Sequence, residues 1–310
     1  MTFSSPYAHL SSPWLRGALH AHSTNSDGVN APKDVWGAYA ALGYHFATLT
    51  DHCKQPSLEQ LETDTGLVTL PGCEYRTHGY TNFASPEVNL IGIHDPLPYD
   101  IDWPECGPVF KEQGAFVIYN HPSWNFDHWP TRQMLDLRLG HALEIYNAVG
   151  EELAGSAEST TQWDALLSCG YRVWGVATDD AHKPEHRGKA WVVVNTEPNA
   201  PEILDALKSG RFYSSTGVHI DDITINDGVI RVTSPDAKAI RFIAERGQVR
   251  KQIEGSVAEY RPSPKDVYVR IELFGEVLQK AWTNPIFIET RESEQRVAEH
   301  TKWFMEQPLI

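Results

Sequence analysis

LRGALHAHSTNSDG, residues 15–28, decides how this chain is read. An apolar start runs into His20 and His22 and then into the turn Ser26, Asp27, Gly28. Two histidines two apart at the end of a strand project from one face, so both imidazoles can share a cation. Four further segments have the same form: HFATLTDH (45–52), GLVTLPGCE (66–74), AFVIYNHP (115–122) and YRVWGVATDDAH (171–182). Burying an apolar run and placing imidazoles and carboxylates at its exit is how an α/β barrel gathers ligands from distant parts of a sequence. The simplest reading is a hydrolytic site holding more than one metal.

Outward from these segments, β-rich runs alternate with helix-like ones up to about residue 216. APKDVWGAYAALG (31–43) has proline near its start and glycine at its end, and STTQWDALLSCG (159–170) is closed by glycine. HALEIYN (141–147) reads as one more strand, and the segment 197–217 holds a last helix between Pro201 and Gly210. Such alternation implies a parallel sheet or barrel. The texture then changes. HIDDITINDGVIRVTS (219–234) is two alternating strands around Asn226, Asp227 and Gly228, a hairpin signal. AIRFIAER (239–246) and VYVRIELFG (267–275) alternate in the same way. We therefore expect a barrel over 1–217, a small all-β domain over 218–292 and a helix or tail over 293–310.

The 310 residues suffice for one large and one small core. A formal charge of −15 argues against general nucleic-acid binding, which draws mainly on clustered Lys and Arg. It does not exclude an anionic substrate, because bound cations can neutralise the acids. No segment approaches the length of a membrane span, and no apolar run marks a secretory leader. Cys53, Cys73, Cys106 and Cys169 show no CxxC spacing, so a reduced cytoplasmic protein is expected. Cys53 and Cys73 adjoin proposed ligands and are read as small buried residues or as thiolates.

Taken singly, each polar exit has a plain structural reading. Asp27 and His121 stand in turns, Glu74 fits a solvent-facing loop, and Asp51 can orient His52 through a hydrogen bond. Asp180 is preferred to Asp179 because its i, i+2 relation puts it on the same side as His182. Together they point to a site, since five of the fourteen histidines fall at strand ends. The ordered pieces HAHSTNSDG, TDH, PGCE, NHP and DAH resemble the motifs of the polymerase and histidinol phosphatase (PHP) superfamily. GRFYSSTG and AWTNPIFI are similar to its CehA/McbA branch, which carries a C-terminal β domain.

That resemblance implies a distorted (β/α)7 barrel with two or three divalent cations at the C-terminal strand ends, Mn, Fe or Zn in kind. It implies His20, His22, Glu74 and Asp180 around a first cation, Asp27, His52 and His182 around a second, and Glu74 with His121 at a third. The remaining third ligand is expected at His94 in EVNLIGIHDP (87–96), with Glu87 and His78 as competitors. The implied reaction is hydrolysis of a phosphate mono- or diester of a small molecule or nucleotide. His182 or His121 is a candidate proton donor, and Lys54, Lys183 and Arg187 are candidate phosphate clamps or plain surface charges. Tyr119, Tyr146 and Asn147 at strand exits are read as shaping the pocket, the tyrosines alternatively as core residues with the hydroxyl at the rim. Hydrolysis of a carbamate, amide or other non-phosphate ester is the alternative, and a non-catalytic metal-stabilised module a third.

Overall fold

A computed structural model describes residues 1–8, 10–61, 63–77, 86–124, 128–153 and 156–307. His78 lies outside the described residues.

The strands in chain order are β1 (Thr2–Ser4), β2 (Trp14–Ala18), β3 (Phe46–Thr48), β4 (Val68–Leu70), β5 (Gly72–Tyr75), β6 (Val88–Ile91), β7 (Phe116–Tyr119), β8 (Ala142–Asn147) and β9 (Trp174–Thr178). They continue as β10 (Trp191–Asn195), β11 (Phe212–Ser215), β12 (Asp222–Asn226), β13 (Val229–Thr233), β14 (Ala239–Ala244), β15 (Gln248–Glu254), β16 (Val257–Tyr260), β17 (Tyr268–Phe274), β18 (Lys280–Thr283) and β19 (Ile286–Glu289). The helices are α1 (Pro32–Ala41), α2 (Leu58–Leu61), α3 (Trp103–Glu112), α4 (Thr131–Leu137), α5 (Ala148–Leu153), α6 (Thr160–Ser168), α7 (Ala200–Lys208) and α8 (Arg291–Glu306). None of them is long and apolar enough to cross a membrane.

β2, β3 and β4 pair in parallel, as do β7, β8 and β9. Between these sets β5 continues the course of β4, and isolated parallel bridges His52↔Glu74 and Ala21↔Ala181 close the ring. The architecture is therefore an α/β barrel of seven strand positions. One position departs from the expected parallel pattern. β6 runs antiparallel to both β5 and β7, with Tyr75 opposite Val88 and Gly72 opposite Ile91. Its N-terminal end thus lies where its neighbours have their C-terminal ends.

Helix limits follow local chemistry. Pro32 opens α1, which has no N–H to lose there, and Gly43 past its end has φ of 76°. Asn199 caps α7 by accepting from the Glu202 N–H. Ile203, Ala206 and Leu207 of α7 then pack with Leu15, Phe46, Phe116 and Val176 in one apolar cluster.

Beyond the barrel, β12 and β13 form the expected hairpin, with Asp227 and Gly228 both at positive φ between Asn226 and Val229. β12, β13 and β16 make one sheet, while β14, β15, β17, β18 and β19 belong to the sheet that continues through β11 and β10. Ile230, Val232, Ile240, Phe242, Ile271 and Leu273 fill the space between them. The connection to the barrel is a continuous ladder, since Tyr213, Ser214 and Ser215 pair with Thr283, Trp282 and Ala281. The first residues join this part of the fold too, because β1 pairs with β19. Helix α8 buries Ser293 and His300.

Candidate metal centre

The five strand exits converge. Past β2 the chain keeps parallel contact with β9: His22 N donates to Ala181 O at 2.9 Å, and Thr50 N donates to Ala21 O at 2.8 Å. His20 and His22 are fully buried as a result. The loop that follows folds back tightly, with Gly28 N donating to Ser23 O at 3.0 Å. A Cβ at Gly28 would lie 2.5 Å from the His22 backbone, so that turn admits only glycine. Asp51 fixes the same loop, accepting from Ser23 N and Ser23 Oγ at 2.7 Å and from Ser26 Oγ at 2.8 Å.

Glu74 lies at the middle. Its Oε2 is 3.3 Å from His20 Nε2, 3.3 Å from His22 Nε2 and 3.2 Å from His52 Nδ1. Its Oε1 is 3.3 Å from His121 Nε2 and accepts from Asn120 Nδ2 at 2.6 Å. Asp180 Oδ1 faces both His20 Nε2 and His22 Nε2 at 3.2 Å. At the half-exposed mouth, Asp27 meets His22 Nδ1 at 3.4 Å, His52 Nε2 at 3.4 Å and His182 Nε2 at 3.5 Å. The chain thus brings together His20, His22, Asp27, His52, Glu74, His121, Asp180 and His182.

These separations suit a shared cation better than direct hydrogen bonds. Charge-assisted hydrogen bonds span about 2.7–2.9 Å, whereas donor atoms at roughly 2.0–2.1 Å from a tetrahedral cation lie about 3.4 Å apart. Moreover, the buried His20 Nε2, His22 Nε2 and Asp180 Oδ1 have no hydrogen-bond partner among the described residues. Orphaned, convergent polar atoms of this kind call for a ligand. The residues present fit divalent cations, and the groups His20, His22, Asp180 and His22, Asp27, His52, His182 each bring their donor atoms within 4.8 Å of one another.

The buried imidazoles and carboxylates of the centre bias one another's protonation. Burial opposes charge on His20, yet Asp180, Glu74 and Glu144 outweigh it and raise its pKa. The same contest pushes His22 up to about 9, through Asp180 and Glu74, and His52 up to about 12, chiefly through Glu74. Burial likewise opposes ionisation of Glu74 and Asp180, and the surrounding imidazoles bring both below the ordinary carboxylate range.

His94 is not part of this assembly. It follows the C-terminal end of β6, is exposed, and is tied through its backbone N–H to Gln113 Oε1 at 3.0 Å. Because β6 is antiparallel, its other end faces the site and delivers Glu87. Glu87 Oε1 is 3.4 Å from His52 Nδ1, and its Oε2 is 3.8 Å from both His121 Nε2 and His128 Nε2. Arg76 pairs with Glu87 as well. The structure therefore sets His94 apart from the assembly and brings the competing candidate Glu87 to it, beside His128, which no strand-end motif marked. Burial, then the His121 charge, press His128 down to about 3, so it stands there as neutral imidazole.

A second residue escaped the sequence reading. Glu144, in the interior of β8, is fully buried and receives His20 Nδ1 at 2.6 Å, Thr178 Oγ1 at 2.6 Å, His121 N at 2.7 Å and Asn147 Nδ2 at 2.9 Å. A register shift between Glu144 and Tyr146 lets both Glu144 and Asn147 reach inward. Asn147 also donates to Asp180 Oδ2 at 3.2 Å, whereas Tyr146 stacks near Trp282 with ring centroids 5.8 Å apart. Tyr119 is a core residue instead, its hydroxyl accepting from Leu139 N at 2.8 Å. Asp179 points away from the centre and accepts from the N–H groups of Gly188, Lys189 and Ala190. Backbone strain collects here: Cys53, His121 and Asp180 have φ of 51°, 28° and 51°.

The basic candidates are all engaged, Lys54 exposed, Lys183 half-buried and Arg187 buried. Lys54 Nζ donates to Asn25 O at 2.5 Å, Lys183 pairs with Glu152 at 3.0 Å and Glu185 at 3.4 Å, and Arg187 donates to Asn30 Oδ1 at 2.8 Å. Cys73 is buried and its thiol pKa is raised by burial, which suits a small core residue and not a thiolate.

No family model matches the sequence, and no curated relative matches it. Among solved structures, the chain is similar to a two-domain protein containing a predicted PHP-like metal-dependent phosphoesterase from Bacteroides vulgatus ATCC 8482. That match has 16% identity and a TM-score of 0.53 over 89% of this chain and 96% of the other. Two others are an amidohydrolase from Chromobacterium violaceum (15% identity, TM-score 0.42, 54% of this chain and 88% of that one) and a proposed metal-dependent phosphoesterase from Bifidobacterium adolescentis (15%, 0.42, 56% and 89%). At this identity the first match speaks to architecture alone and has no bearing on the CehA/McbA branch. The chain shares that architecture, an α/β barrel followed by a C-terminal β unit.

Proposed function

We propose that this protein is a metal-dependent phosphoesterase of the PHP superfamily, acting on a phosphate ester of a small molecule or nucleotide. The observation that carries the reading is the bridging attitude of Glu74: one oxygen faces His20, His22 and His52, and the other faces His121. A carboxylate so placed serves two cations at once, and adjacent cations are the arrangement used to clamp both oxygens of an in-line displacement at phosphorus.

His20, His22, Glu74 and Asp180 would hold one divalent ion and Asp27, His52 and His182 a second, with Glu74, Glu87, His121 and His128 available to a third. Such ions, Mn, Fe or Zn given the mixed nitrogen and oxygen donors, supply a water nucleophile at neutral pH and neutralise phosphoryl charge. The protein's own share is positional. Glu144 fixes the His20 ring so that Nε2 faces inward, and Asn120 and Asn147 steady Glu74 and Asp180. His182 and His121 both turn Nε2 toward carboxylates, and His182 Nδ1 is 2.9 Å from Asp180 O, so holding metal suits them better than donating protons. Lys54 and Arg187, anchored on the 25–30 loop beside the mouth, are the proposed contacts to substrate phosphate, with Lys183 outside them.

The test is an assay of purified protein loaded with Mn, Fe or Zn against phosphomonoesters, phosphodiesters and carbamates, with His20→Ala and Asp180→Ala beside it. Turnover of phosphate esters that disappears with bound metal in both variants is expected. Carbamate turnover alone would transfer the site to the non-phosphate reading, and full metal occupancy without any turnover would leave a structural module.

A further inference from the structure

Away from the barrel mouth, α6, the β14, β15 and β17 sheet and α8 enclose a pocket of about 450 Å3. Its floor is a closed charge network. Asp164 accepts from Tyr268 Oη at 2.6 Å and from Arg270 Nε and Arg270 Nη2 at 2.7 Å each, while Arg270 Nη1 binds Glu272 at 2.6 Å. Both acids of the pocket are thus spent on Arg270. Of its two other guanidiniums, Arg241 donates Nε to Gln252 Oε1 at 2.7 Å and lies 4.5 Å from the Phe274 ring centre, and neither it nor Arg246 has a carboxylate partner among the described residues.

In a chain of net charge −15, these are two positive charges that no carboxylate neutralises. Arg246 is also held in place. Its backbone N–H donates to Ser168 Oγ at 2.8 Å, its φ is 60°, and its guanidinium carbon lies 5.1 Å from the Trp303 ring centre. The following Gly247 approaches α6 so closely that a Cβ would sit 2.8 Å from Asp164 Oδ2. That same Trp303 indole is 52% exposed. His300, 8% exposed, lines the pocket with an Nε2 that has no hydrogen-bond partner among the described residues.

A flat apolar wall, two guanidinium forks and a buried imidazole nitrogen awaiting a partner describe one kind of guest. We propose that this pocket binds a small aromatic anion, a flat ring carrying a carboxylate or phosphate. The ring lies against Trp303, the anionic group meets Arg241 and Arg246, and a ring or substituent polar atom meets His300 Nε2. This site is separate from the metal centre and does not depend on its assignment.

Calorimetric titration of the full chain with phenylphosphonate, which has no ester bond, and, separately, with indole-3-carboxylate tests it, and the stronger ligand identifies the anionic group. One-to-one binding is expected, unchanged in Asp180→Ala and weakened at least about tenfold in Arg246→Ala and in Trp303→Leu, both on the pocket rim, with His300→Gln as the milder third variant. Circular dichroism checks that each variant is folded. The proposal is overturned if neither compound binds, if binding is lost in Asp180→Ala, or if it is indifferent to Arg246→Ala and Trp303→Leu.

Discussion

Glu144 Oε1 stands 2.6 Å from His20 Nδ1, with both side chains fully buried. An ionised carboxylate only accepts, so this contact keeps a proton on Nδ1 and leaves Nε2, the atom facing Glu74 and Asp180, as the nitrogen that gives up its proton to a cation. Burial opposes the Glu144 charge, but His20 and His121 keep its pKa below the usual range.

Glu144→Gln should therefore weaken metal binding by about 10–100-fold while preserving the fold, because an amide no longer dictates the His20 tautomer. A chelator competition beside a circular dichroism spectrum checks both halves. Wild-type affinity in the variant would remove Glu144 from the site.

Direction of β6 yields a contrast. Glu87→Ala should reduce bound metal or its affinity, whereas His94→Ala should behave as wild type in elemental analysis. Loss of metal in His94→Ala would return the third ligand to His94.

Metal uptake should strengthen with pH. In the ion-free protein His22 titrates near 9 and His52 near 12, so at neutral pH a cation must displace protons from them. Each displaced proton makes the apparent affinity about tenfold higher per pH unit. Titrations at pH 6, 7 and 8, corrected for the chelator's own protonation, should show a rise, and a flat profile would contradict it.

At the other end of the barrel, His141 makes a separate stability prediction. Burial, then Lys208, press it down to about 4, and its Nδ1 accepts from Val117 N at 3.1 Å. An unfolded imidazole titrates near about 6.5, so between these values the unfolded chain binds more protons. The stabilisation is present above about pH 6.5 and is lost as pH falls toward 4. From pH 7 to pH 5 the wild type should lose about 1–2 kcal/mol more than His141→Gln, read by urea denaturation in the presence of chelator.

Much of the fold was legible locally. The hairpin at Asp227 and Gly228 needs positive φ at both positions, and its residues announce it. Pro32 and Gly43 bracket α1 for equally local reasons. At the site, apolar runs ending in His20, His22, His52, Glu74, His121, Asp180 and His182 were visible because a strand's exit is written in its own residues. Tyr119 stayed open between pocket and core, since nothing local tells whether its hydroxyl faces a pocket or Leu139 N.

What the sequence determined by itself was which segments bury an apolar run and end in metal-binding chemistry. Which of those ends meet was decided by pairing between segments far apart in the chain. Antiparallel pairing of β6 with β5 and β7 carries Glu87 inward and His94 outward, and no residue within EVNLIGIHDP encodes that direction. The register shift in β8 likewise turns Glu144 onto His20 across 124 positions of sequence. Strand direction and register are set by hydrogen bonds to neighbours and by burial of one face, so they exist only in the assembled sheet.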